Sequence, residues 1–179
     1  MKSAHTTTTL KRYFTGLAEC VFQSQLGVAD PPLIDYVSGL LLRFVRVDAL
    51  HKVRSLSGRQ MTEVAEMMVE ANERVGTARR AVHRHIGDFT LFWAGVYPEA
   101  LRELQSPRRK DHFIDYCAQG KRAYLIASAI QTDDFVEAPA EVLERLSHQF
   151  EMCAYGLREV RREWERRDDE DPQRPLLIN

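Results

Sequence analysis

Apolar positions recur at helical spacing along nearly the whole chain, and no segment alternates as a half-buried strand would. Leu10, Tyr13, Phe14, Leu17 and Val21 mark a first helix that starts after the threonine run and ends before Gly27. Asp30-Pro31-Pro32 opens a second, with Asp30 as cap and proline in the first turn. From Leu33 to Val45 that helix is apolar on several sides, as expected of an element covered by neighbours. Met61, Val64, Ala65, Met68 and Val69 set a third helix. Gly76 interrupts, and a fourth runs over 77–95. A short turn of helix follows Pro98, then a helix over 111–130 and a last one from Pro139 to about Arg167. The pattern predicts an all-α, single-domain bundle of about six helices over residues 1–167, followed by an acidic, disordered tail over 168–179.

The last helix carries the longest regular pattern. Leu143, Leu146, Phe150, Cys153, Leu157, Val160 and Trp164 alternate three and four apart, a heptad seam. Such a seam packs within the bundle, or its distal part projects to meet another helix. In the second case Leu157, Val160 and Trp164 are the contact residues, and an exposed Trp164 at the helix end is the anchor.

Composition narrows the setting. A chain of 179 residues suits one domain. Its net charge of −1 creates no global field for nucleic acid or an anionic membrane. Cys20, Cys117 and Cys153 have neither metal-site nor redox spacing. The N-terminal MKSAHTTTTLKRYF lacks a signal peptide's apolar stretch, and Leu40-Leu41-Leu42 stops at Arg43, so a cytoplasmic location without membrane contact is expected.

Candidate chemistry centres on HRHIGDFTLFWAG, residues 83–95. On a helix, His85 falls with Ile86, Phe89 and Trp93, while His83 points to the other side and is expected to be exposed. Two histidines so spaced cannot chelate one ion from a helix. Arg84 and Asp88, four apart, suit an ion pair on the flank of the stripe. The simplest role for His85 is a hydrogen-bonded core histidine. A metal site is the alternative: His85 with Asp88, and Asp48 with His51 on the second helix, are each three apart and can face one ion. Axial haem ligation by His85 is a remoter option. The arginines of RVGTARRAVHRH (74–85) read as a solvated face balanced by Glu66, Glu70, Glu73 and Asp88. Gly120 sits amid the stripe Phe113, Tyr116, Cys117, Ala123, Tyr124 and Ala127, which suggests close helix approach, against the small residues Gly87 and Ala94.

GDFTLFWAG (87–95) followed by YCAQGKRAY (116–124) resembles a Gly-Asp-x-x-Leu-Phe-x-x-Gly segment and a later Tyr-x-x-x-Gly-x-x-Ala-Tyr segment of uncharacterised bacterial all-helical proteins. The resemblance implies a shared helical core and carries no activity with it.

Neither a phosphate-binding glycine loop, a nucleophile elbow nor an HExxH motif is present. With the heptad seam, that absence points to a non-enzymatic protein-interaction or scaffolding module. It would engage a protein partner or a second copy of the chain through the C-terminal helix, and no cofactor is expected. The alternative is a ligand- or metal-binding bundle, open to enzymatic use, centred on His85 and Asp88. A filled core at His85 favours the first, and a pocket of convergent polar groups there favours the second.

Overall fold

Helix α4 (Gly76–Gly95) is covered on both faces, and the other elements are arranged around it. The computed structural model describes residues 2–45, 54–55, 57–132 and 138–170. Around α4 lie α1 (Lys2–Glu19), α2 (Pro31–Val45), α3 (Val64–Glu73), the single turn α5 (Leu101–Leu104), α6 (Tyr116–Ala129), α7 (Ala140–His148) and α8 (Phe150–Glu170). The fold is an all-α single domain, with eight α-helices rather than about six among the described residues. Two differences make up the count. The turn after Pro98 is a helix in its own right, and the last helix breaks at Gln149, where the backbone leaves helical geometry (ψ 26°) before α8 resumes.

Other boundaries also move. The threonine run lies inside α1, which continues as a π-helical segment over Cys20–Gln25 before Gly27 turns the chain at φ 67°. Threonine costs only a few tenths of a kcal/mol per helical position, too little to set a boundary. Asp30 does cap α2: its Oδ1 accepts from the Leu33 N–H at 3.2 Å. Helix α8 extends through Glu170, beyond the expected limit at Arg167, and residues 171–179 are outside the described residues.

Close approach at glycines sets the packing of α4. A Cβ on Gly87 would come within 2.6 Å of the Tyr124 ring from α6. In the same interface, a Cβ on Gly120 would collide with Thr90 of α4 and with Phe150. Gly87 and Gly120 thus each accept a larger group from the facing helix, rather than pairing small face with small face. Gly95 meets Ala154 and Leu157 of α8, and the ring of Phe22 rests over Gly156.

The heptad seam stays in register across the break at Gln149, and all of its residues are buried in the bundle. Trp164 is only 6% exposed and meets Phe14 of α1 edge to face, with ring centroids 5.2 Å apart. The expected exposed anchor is therefore corrected. Leu157, Val160 and Trp164 are core residues of the folded chain, because α1 covers the end of α8. Among the described residues, no helix is long and apolar enough to cross a membrane.

Candidate functional site

Asp88 organises the side of α4 that faces α2. Expected on the flank of an apolar stripe, it is 2% exposed. Its Oδ1 accepts hydrogen bonds from the hydroxyls of Tyr36 at 2.6 Å and Tyr124 at 2.8 Å, and its Oδ2 accepts from Arg43 at 3.1 Å. A buried carboxylate is tolerated only with such partners. Burial first, and then the Asp88 charge, push both tyrosines well above their ordinary range, so they remain donors. The guanidinium of Arg43 also lies over the Tyr36 ring, 5.2 Å from its centroid. Asp88 and Tyr36 between them aim Arg43.

They aim it at a pocket of about 160 Å³. Arg43 and Phe44 of α2 form one wall. Val82, Arg84, His85 and Asp88 of α4 form another, and Arg54 and Arg74 close the rim. The His85 ring stacks on Phe44 (centroids 5.9 Å apart, planes at 19°), and Phe44 stacks on Phe92 (5.0 Å, 28°), which fixes the two rings that line the pocket, Phe44 and His85. Arg74 is braced by Glu70 at 2.8 Å and donates to the Arg54 carbonyl at 2.7 Å. Arg54 in turn donates to the Gly58 carbonyl at 3.2 Å. These bonds hold two long side chains in place before any ligand arrives.

The structure brings two of the four candidate metal residues together: His85 and Asp88 line the same pocket. Asp48 and His51 lie outside the described residues. Among the described residues, no group of three or more His, Cys, Asp or Glu side chains is placed to hold a metal ion. Among the described residues that line the pocket, four are arginines and one, Asp88, is a carboxylate.

Sequence reasoning missed Arg43, Tyr36, Tyr124 and Arg54 as parts of this site. One signal was available for Arg43, the only basic residue in the apolar run from Leu33 to Val45. Arg80, read as part of a solvated face, is buried and ties α4 to two carbonyls, Ala127 at 3.1 Å and Ala138 at 2.7 Å. His83 was expected in solvent but is 7% exposed, enclosed by α3 and α6. The solvent side of α4 is at Thr77, Ala78 and Ala81, and by His83 the helix is already covered by α3 and α6.

Compared with known proteins, the chain matches no family model, and neither a curated protein nor a solved structure is significantly similar to it.

Proposed function

We propose that this protein is a ligand-binding helical bundle whose pocket between α2 and α4 takes a small anion, a phosphate or carboxylate carried on a compact apolar group. One observation supports this above all: Arg43, Arg54, Arg74 and Arg84 converge on a single pocket that Phe44 and His85 also line. Guanidinium is the side-chain group best matched to phosphate and carboxylate, which it can grip with two parallel hydrogen bonds. Asp88 pairs with Arg43 and Glu70 with Arg74, which fixes both guanidiniums at the pocket. In a partly dry pocket a guanidinium acts on an anion more strongly than it would in water. A cavity of about 150 Å³ admits a benzene ring. The pocket at about 160 Å³ therefore has room for a ring-sized group resting on Phe44 and Val82.

Asp88 suits binding better than proton transfer, because Tyr36, Tyr124 and Arg43 already occupy its oxygens. The protein-interaction reading has less support, since the seam residues that would carry it are inside the bundle.

Calorimetric titration with phenyl phosphate and with inorganic phosphate tests the proposal. Phenyl phosphate should bind saturably and more tightly than inorganic phosphate, because its ring covers Phe44 and Val82. Arg54→Gln, at an exposed position, should weaken that binding about tenfold without unfolding the chain. Identical affinities for wild type and Arg54→Gln, or no saturable binding of either compound, would overturn it.

A further inference from the structure

The other side of α4 carries a second pocket, of about 130 Å³, which the site described above does not involve. Asn72 of α3, Arg79 and His83 of α4, and Gln119 and Arg122 of α6 line it. Arg79 and His83 are four apart, so one helical face presents both. His83 is more than nine-tenths buried, and its Nε2 has no hydrogen-bond partner among the described residues. The buried Nε of Arg79 has none either. Leaving a buried polar group unsatisfied is costly, so two of them in residues that line one cavity demand an explanation.

We propose that this pocket is an anion site for a compact oxyanion of sulfate or phosphate size, bound together with a proton on His83. The residues around the cavity supply donors and positive charge. Arg79 comes from α4 and Arg122 from α6; Asn72 and Gln119 add neutral amide donors, and α3 otherwise contributes the uncharged Met68. No carboxylate is among the described residues that line it, so nothing there competes with an incoming anion.

Burial first, then the charges of Arg79 and Arg122, hold His83 below its ordinary pKa near 6.5, so the imidazole is neutral in the empty pocket at neutral pH. An anion between the two guanidiniums reverses that balance. It cancels their repulsion of the imidazolium and accepts a hydrogen bond from the protonated Nε2. Binding is thus coupled to proton uptake, and affinity rises as pH falls through the histidine range. Because this cavity lies on the opposite side of the helix from Asp88, the proposal stands independently of the first pocket.

Sulfate is the suitable probe, because its charge is constant over the range in question. The His83 ring is followed by nuclear magnetic resonance with and without saturating sulfate, and sulfate affinity is measured by calorimetry at both ends of the range. Sulfate should raise the His83 pKa by about one unit, equivalent to about tenfold tighter binding well below the histidine range than well above it. His83→Gln should bind weakly with no pH dependence of this kind. Arg122→Gln, at an exposed position, should weaken binding and keep the test readable if the buried His83→Gln variant unfolds. Arg54→Gln, on the first pocket, should leave the His83 response unchanged. A His83 titration unmoved by sulfate, or pH-dependent binding that survives in His83→Gln, overturns the proposal.

Discussion

The Tyr124 hydroxyl donates to Asp88 at 2.8 Å while its ring occupies the space that a side chain on Gly87 would need. One residue of α6 therefore both closes the helix interface and holds the carboxylate that orients Arg43. Gly87→Ala should displace the ring and destabilise the fold by about 1–3 kcal/mol. Tyr124→Phe keeps the ring but removes a bond to a charged acceptor, at a cost of about 1.5–3 kcal/mol. Because both changes act on one contact, the double variant should lose less than the sum of the two. Urea denaturation of the three proteins measures this, and simple additivity would separate the ring's two roles.

Trp164 illustrates how a periodic pattern leaves tertiary context open. The three-four spacing picked out the residues of the seam from Leu143 to Trp164, but Val160 and Trp164 were expected at an interface and are buried instead. The spacing could not say which surface met the end of that seam. The answer is Phe14, some 150 positions earlier in the chain. Trp164→Ala should open a cavity under α1 and cost about 3–5 kcal/mol. Thermal melts should show a steep loss of stability, while sedimentation of the remaining folded protein shows no change in assembly. An altered oligomeric state with an unaltered melt would instead make Trp164 an interface residue.

Asp111 has a role that no local motif announced. Its carboxylate accepts from the backbone N–H groups of Val64 and Ala65, both at 2.8 Å, and from the Tyr116 hydroxyl at 2.7 Å. It caps α3 from 46 and 47 residues away, replacing the local side-chain cap that Glu63 does not provide. Asp111→Ala should cost at least about 2 kcal/mol, the upper range for a lost cap, and should expose the α3 amides first. Hydrogen exchange at Val64 and Ala65 reads this directly.

What the sequence made legible follows the same division. Helix existence, the Asp30 cap and the small residues at Gly87 and Gly120 are local properties, and they were readable as periodicity and composition. The partners of Asp88 were not, because Tyr36, Arg43 and Tyr124 come from two other helices. The expected exposure of His83 failed for a related reason. A helical wheel assigns one buried face, whereas α4 is enclosed on both.

His83 should also make stability sensitive to acid. Its pKa in the folded state is lowered, so above about pH 6.5 folded and unfolded chains are both neutral there and the residue contributes no pH dependence. Below that pH the unfolded chain takes up a proton that the native pocket resists, and stability falls as pH drops toward the native pKa. Chemical denaturation across this range should show the loss, and His83→Gln should remove it. An identical pH profile in the variant would assign the acid sensitivity to another group.

The central claim concerns the arginines around Asp88, and the most direct measurement observes them. In a protein labelled for nuclear magnetic resonance, the Nε–H signals of Arg43, Arg54, Arg74 and Arg84 are followed during titration with phenyl phosphate. The account predicts saturable shifts that follow one binding curve at these four arginines, while Arg162 and Arg166 on the exposed flank of α8 barely move. Weak, unsaturated shifts spread equally over surface and pocket arginines would contradict it.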